Sequence, residues 1–477
     1  MTARARRVLE EEVLLVTLLG VFAALFVTAF PPTLLVADGW LTLMAGREIV
    51  EHGLPATDAI TVLGLDRTWT DQQWGAQLLL YGAHVLGGIP LVVVLTATLV
   101  VGAFSLAAAA AISLGASSRA FLVIFFPVIA AAPWAWNVRA QVVALPLFVG
   151  LLWLLASESR RPSRRALLAV PILLVWANVH GSVALGALLT MIVGGIEAAR
   201  ARRLTLRSML FLVVPPLLVL ATPYGPAATA RYYHLLLVDP PFGDHVTEWH
   251  WSDPAWDTFT FYLLAALAAV VVWRGRARLV AFDLVALGLT FVGAVTAIRG
   301  IVWFAMTCSV LLPVAVGPAL GRAGVGSRRV NRAIAAATAV LVVVAVAFAF
   351  ARPGSAYLRK WPEAAVTAVR QEADRPGTRV LATSRHADWL LWRIPGLRGR
   401  MAWDVRFEIY SPEDFNRIVH FRGEQGAGWK SVADGYDVVV LETHEKPSHI
   451  ADFLAEPGAR VVYRDEHVTV IARSAAR

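Results

Sequence analysis

The chain has no lysine before Lys360, so arginine is the only strong base over its first 359 residues. It has one cysteine, Cys308, set inside an apolar run; this excludes an intrachain disulfide and suggests no redox chemistry. Charged residues are also scarce. They make up 16% of the 477 residues against 57% hydrophobic ones, and mean hydropathy is +0.62. Those values exclude an ordinary water-soluble domain. Residues 352–477 contain no phosphate-binding glycine loop and no metal-type Cys/His spacing. No metal ligands are therefore assigned and the cofactor is unknown, with a divalent cation left open.

What the chain does have is long apolar runs, near 13–36, 89–113, 119–133, 141–156, 166–179, 182–197, 208–222, 259–273, 279–297, 300–320 and 332–351. Most approach the roughly 20 residues a helix needs to cross about 30 Å of hydrocarbon, which predicts about eleven transmembrane helices. Pro31 and Pro32 follow the first run where a cleaved signal would carry small residues, so that run is read as a span. The arginines then set orientation. Arg4, Arg6 and Arg7 precede the first span; Arg160, Arg161, Arg164 and Arg165 follow the fourth; Arg200, Arg202, Arg203 and Arg207 follow the sixth. Arg274, Arg276 and Arg278 follow the eighth, and Arg322, Arg328, Arg329 and Arg332 precede the eleventh. Eleven spans put every cluster on one side, which is cytoplasmic by the positive-inside rule. The net charge of +9 is thus a topology signal, and no nucleic-acid partner is expected.

The opposite side collects the acids Asp38, Glu48, Glu51, Asp58, Asp66, Asp71, Asp239, Asp244, Glu248, Asp253 and Asp257. It also takes the histidines His52, His84, His180, His234, His245 and His250. Titratable groups confined to one face predict chemistry or solute binding there. Many belong to a long first loop, residues 37–88, and ordering so long a connector costs entropy that a mere linker would avoid.

Beyond the last span the texture changes. Residues 352–477 read as an extracytoplasmic α/β domain. Arg379–Thr383 and Tyr436–Leu441 are predicted strands, Ser411 with Pro412 opens a helix, Ser448–Leu454 is a short helix, and Arg460–Ile471 is a closing hairpin. The division is thus a membrane part, 1–351, and a soluble part, 352–477.

The first loop supplies Asp38, Trp40, Gly46, Gly53, Pro55, Asp58, Trp69 and Trp74. Then come Trp176-Ala177-Asn178-Val179-His180-Gly181, Thr222-Pro223-Tyr224-Gly225, Glu248-Trp249, and Trp403-Asp404-Val405-Arg406 with Tyr410. This order of motifs is similar to that of a bacterial group within or near the GT-C superfamily of membrane glycosyltransferases. The chain departs from better-known branches in two places: Gly39 follows Asp38 where a second acid is common, and Asp71-Gln72-Gln73-Trp74 replaces a His-x-Pro-Pro element. The resemblance implies an enzyme of the cytoplasmic (inner) membrane. It would move a hexosyl or pentosyl unit from a polyprenyl-phosphate donor to a lipid or envelope-glycan acceptor on the extracytoplasmic side.

Such a transfer needs a base near the bilayer surface. Asp38, directly after the first span, is the predicted catalytic residue. The departing lipid phosphate needs cations and hydrogen-bond donors, for which Arg231, Arg299 and His180 are predicted, with Arg139 a further arginine on that side. Trp40, Asp58, Asp71, Trp74, Glu248 and Trp249 are predicted to meet sugar or acceptor. Plainer roles compete: Asp38 as a helix N-cap, Arg299 reaching for the interface, Asn178 and His180 in an inter-helix contact. Likewise Glu48 and Glu51 fit a solvated helix face, and Asp404 with Arg406 fits a structural ion pair. The alternative functions are a transporter or flippase of a lipid-linked or anionic solute, and a non-enzymatic membrane scaffold.

Overall fold

The computed structural model describes residues 11–238, 245–256, 258–321, 326–424, 426, 428–444 and 447–473. Of the residues singled out above, Arg4, Arg6, Arg7, Asp239, Asp244, Asp257 and Arg322 lie outside the described residues. The chain divides into two compact units interleaved in sequence. One comprises residues 1–31, 90–226 and 246–352; the other comprises 32–89, 227–245 and 353–477.

The first unit is a helical bundle, and each of the eleven apolar runs carries a helix. Among the described residues, six segments are long and apolar enough to cross a membrane: Trp74–Ser113, Gln141–Arg160, Val183–Ala201, Phe259–Arg278, Ile298–Leu320 and Arg328–Ala351. Four shorter apolar helices, Val13–Thr28, Ser118–Ala131, Leu206–Val219 and Ala281–Thr296, join them, with Ala169–Ala177 in the remaining run. Side-chain caps start several of these helices. Ser117 accepts from the Ala120 amide, and Thr205 with Ser208 forms a capping box. The Trp74–Ser113 helix breaks at Gly87 and Gly88, where the second apolar run begins.

Burial is uneven in this unit. Ile301 through Ala315 are all buried, the core of the bundle. Val340, Val343, Val344 and Phe348 on Arg328–Ala351 are exposed, an apolar face that water would not tolerate at such extent. Val13–Thr28 and Arg328–Ala351 run parallel: Thr17 Oγ1 meets Thr338 Oγ1 at 3.3 Å, and Arg352 Nη1 donates to the Thr28 carbonyl at 2.7 Å. Several arginine-bearing ends meet. Arg160 pairs with Asp283 at 2.5 Å, Arg207 with Glu158 at 2.8 Å, and Arg200 reaches the Ser159 carbonyl at 3.4 Å.

The second unit is built on a four-stranded sheet of β1 (Val380–Ala382), β2 (Val438–Glu442), β3 (Arg460–Arg464) and β4 (Val468–Ala472), in the order β1-β2-β4-β3. β1 and β2 are parallel, with Val380 opposite Val438; β2–β4 and β3–β4 are antiparallel. The predicted hairpin, both predicted strands and the Pro412–Gly423 helix with its Ser411 cap are all present. Apart from Glu442 at the end of β2 and Thr469 in β4, these two strands are apolar, and both are buried almost throughout.

The first loop belongs to this unit. Its Ala37–His52 helix lies against Ser384–Arg393: Arg47 donates to the Trp392 and Leu391 carbonyls at 2.8 and 2.9 Å, and Trp40 meets Trp361 edge-on at 5.5 Å. A Cβ at Gly46 would strike the Gln77 carbonyl and Tyr81, so only glycine lets the Ala37–His52 and Trp74–Ser113 helices approach this closely. Farther on, Val62 and Leu63 donate to the carbonyls of Met401 and Ala402 at 2.7 and 3.1 Å. Ala402 itself donates to the Val380 carbonyl at 2.9 Å, so the loop is stitched to the edge of the sheet.

Candidate functional site

In the second unit the polar centre is Arg406, only 2% exposed. Its Nη2 donates to Asp58 at 2.9 Å and to Asp404 at 2.5 Å, and its Nε donates to Asp404 at 2.7 Å. The guanidinium lies over the Trp69 ring at 4.1 Å. Asp404 also accepts from Tyr410 at 3.0 Å, while Asp58 accepts from the Thr61 hydroxyl at 2.6 Å and the Ile60 amide at 3.1 Å. Burial works against a charge here, but the two carboxylates more than offset it and hold Arg406 firmly protonated. Asp404 with Arg406 is thus an ion pair, as the sequence suggested, and Asp58 of the first loop completes it. Enclosed in this way, Asp58 holds the loop in place rather than meeting a solute.

One guanidinium cannot balance every acid around it. Burial first, then the charges of Asp404 and Asp38, push the Asp388 carboxyl well above the usual carboxylate range against the pull of Arg406. Burial raises Glu408 to about 7 and Asp71 to about 6. Asp71 keeps hydrogen bonds from Gln77 at 2.9 Å and the Gln73 amide at 3.1 Å, and Gln72 donates to the Tyr233 hydroxyl at 3.1 Å. The fold therefore holds protonatable carboxyls near neutrality, a property more typical of reaction sites than of structural ion pairs.

Asp71 yields a measurable consequence. Its folded value lies above its ordinary 3.8, so the native state binds the proton more tightly and stability falls as pH rises from about 4 to about 6, then levels. Asp71→Asn removes that cost. We expect the variant to be more stable than the parent at pH 7–8 by up to about 3 kcal/mol and equal to it near pH 4. Unfolding midpoints of the detergent-solubilised protein across pH check this; an equal difference at every pH refutes it.

Asp38 stands in the first turn of Ala37–His52, and Val36 occupies the cap position, so Asp38 is not the N-cap. It is half-buried, and its carbonyl accepts from the Thr42 hydroxyl at 2.6 Å. Two residues on, Trp40 lines a cavity of about 360 Å³ with His84, Trp392 and Arg393. Trp74 is half-buried, and Arg231 is exposed on Gly225–Leu237. Glu51 is solvated as expected; Glu48 is not, being 8% exposed and bound to Arg398 at 2.9 Å.

The remaining predicted residues lie in the first unit, where they form a group. Arg299 sits over the Trp249 ring at 4.3 Å rather than reaching outward alone. Glu248 receives both terminal nitrogens of Arg139, at 3.1 Å each. His180 is 5% exposed; burial, then Arg299 and Arg139, push its imidazole down to about 3. The Ser182 amide donates to His180 Nδ1 at 3.1 Å, so the neutral ring carries its proton on Nε2 and is a donor there. Trp176 fixes Ser182 in turn, at 3.0 Å. Asn178 donates to the Ala221 carbonyl at 3.1 Å, tying two loops of the bundle together. Two guanidiniums and a neutral imidazole donor at the ends of apolar helices can receive an oxyanion.

Arg139, which the sequence offered beside Arg231 and Arg299 as a further outward-side arginine, falls in this group. Asp388 and Glu408 were not in the predicted site and carried no usable signal, since their surroundings come largely from segments distant in sequence.

No family model matches the sequence, and no curated protein does. The fold does match solved structures. ArnT from Cupriavidus metallidurans bound to undecaprenyl phosphate superposes with a TM-score of 0.54 at 15% identity, covering 100% of this chain and 99% of that one. ArnT from the same organism in the apo state gives 0.53 at 16% identity, covering 96% and 98%. This is the GT-C fold that the motif order resembled.

Proposed function

We propose that the protein is a membrane glycosyltransferase that uses a polyprenyl-phosphate-linked sugar donor and an envelope acceptor. The observation that carries this reading is the cationic group of Arg299, Arg139 and the neutral His180 within a bundle of the GT-C fold. ArnT, with the same fold over its whole length, is described bound to undecaprenyl phosphate. In this reading Arg299, His180 and Arg139 receive the donor phosphate and Arg231 adds surface charge that attracts it. Asp38 is the base that takes the acceptor's proton. Trp40, Asp71, Trp74, Glu248 and Trp249 shape the sugar and acceptor sites, and Asp58 holds the first loop in register. Trp249 and Glu248 work partly through the arginines they already touch.

Arg299→Ala tests the donor assignment. We expect affinity of the purified protein for undecaprenyl phosphate to fall about 10- to 100-fold, the worth of one or two charge-assisted hydrogen bonds, with the unfolding midpoint little changed. Unaltered affinity removes Arg299 from donor binding.

Topology belongs to the same proposal: about eleven spans, N-terminus inside, residues 352–477 outside. Its support is the parallel pair Val13–Thr28 and Arg328–Ala351, since a first and last span that run the same way deliver the two chain ends to opposite faces. The meeting of arginine-bearing helix ends agrees with it. We expect a reporter fused after the C-terminal segment to be active only outside the cytoplasm; cytoplasmic activity overturns the assignment.

A further inference from the structure

A second cavity, of about 350 Å³, opens in the sheet-containing unit, outside the carboxyl ends of the parallel strands β1 and β2. Thr383 follows β1 directly and Glu442 is the last residue of β2. In sheets with parallel strands this is the place where ligands bind, because the chain turns away from the strand ends and leaves a crevice. The volume suits a single sugar ring with a substituent. We propose that this cavity binds a phosphate-bearing saccharide.

The lining chemistry specifies the ligand. Arg385, at the start of Ser384–Arg393, and Arg422, near the end of Pro412–Gly423, both line it, and both are exposed. Two guanidiniums against the single carboxylate of Glu442 leave an excess of positive charge, which suits a dianionic phosphate better than a neutral sugar. His245 adds a ring nitrogen at the wall. Glu442 and the hydroxyls of Thr383 and Ser384 offer acceptors and donors for ring hydroxyls. They are already oriented: Thr383 donates toward Glu442 at 3.5 Å, and Trp403 Nε1 donates to Ser384 Oγ at 3.2 Å. The floor is packed, with His449 stacked on Phe421 at 5.1 Å and set against Trp429 at 4.6 Å. Preorganised walls reduce the entropy lost on binding. The cavity shares no lining residue with the groups assigned to transfer, and its occupancy does not depend on that assignment.

Calorimetric titration of the full-length protein in detergent with glucosamine 1-phosphate tests this, with glucosamine, glucuronate and inorganic phosphate as comparisons. We expect saturation with an affinity in the ~0.1–1 mM range for glucosamine 1-phosphate and no saturation by glucosamine. Arg385→Gln and Arg422→Gln should each weaken binding about 10- to 100-fold, as expected for a lost charge-assisted contact. Both sites are exposed, so folding should survive and can be verified by the unfolding midpoint. Glu442→Gln should weaken the phosphosugar while leaving inorganic phosphate unaffected. The proposal is overturned if glucosamine 1-phosphate does not saturate, if the double arginine variant binds it as well as the parent, or if inorganic phosphate or glucuronate binds as tightly. A failure of sugar transfer in any variant bears on the transfer reading alone, because these titrations need no turnover.

Discussion

Replacing Asp38 by asparagine is expected to lower sugar transfer by about 100- to 10,000-fold, the usual cost of removing a general base, with expression and unfolding midpoint close to the parent's. The substitution preserves shape and hydrogen bonding but removes the capacity to take a proton. Its structural cost should be small. Asp38 is half-buried and is not the cap of its helix, so even the loss of about 1 kcal/mol that a missing cap brings does not apply. The surroundings fit a proton-handling role. Asp388 lies close enough to feel the charge of Asp38 and is itself pushed strongly toward the protonated form. Transfer from a polyprenyl-phosphate sugar in membranes, normalised to protein, is the measurement. Near-parental turnover would remove Asp38 from the mechanism and turn attention to Asp71, the carboxyl raised to about 6.

The largest expected effect on stability belongs to Arg406→Met. The side chain is 2% exposed and is the shared partner of Asp58 and Asp404, both 0% exposed. Removing it leaves two buried carboxylates without their cation, which typically costs about 3–5 kcal/mol. Unfolding of Arg406→Met at pH 8 measures this loss. A variant as stable as the parent at pH 8 would mean that the network contributes little to the fold. A triple variant with Asp58 and Asp404 also made Asn should recover part of the loss, because the unpaired charges are then gone.

Some of this was readable from composition and order alone. The apolar runs located the helices because a continuous apolar run of this length satisfies its backbone hydrogen bonds within itself only as a helix, as hydrocarbon requires. Local chemistry located the Ser411 cap and the alternation of strands and helices in the C-terminal segment. The Trp-x-Asn-x-His-Gly element placed His180 at a helix end, since polar residues collect where apolar runs stop. The capping role for Asp38 failed by two residues, since the helix is capped at Val36, and helix propensity is too weak a signal to settle such a shift.

The pairing of acids with bases was decided only by tertiary structure. Sequence suggested Asp404 with Arg406 because they are two residues apart; it could not show that Asp58, 348 residues from Arg406, closes the same pair. Nor could it show that Arg139 takes Glu248, or that Arg299 rests on Trp249. Hydropathy depends on each residue's own side chain, so it survives in the linear sequence. A carboxyl's affinity for its proton depends on who surrounds it and how much water remains, so Asp71, Asp388 and Glu408 acquire their character only when distant segments close around them.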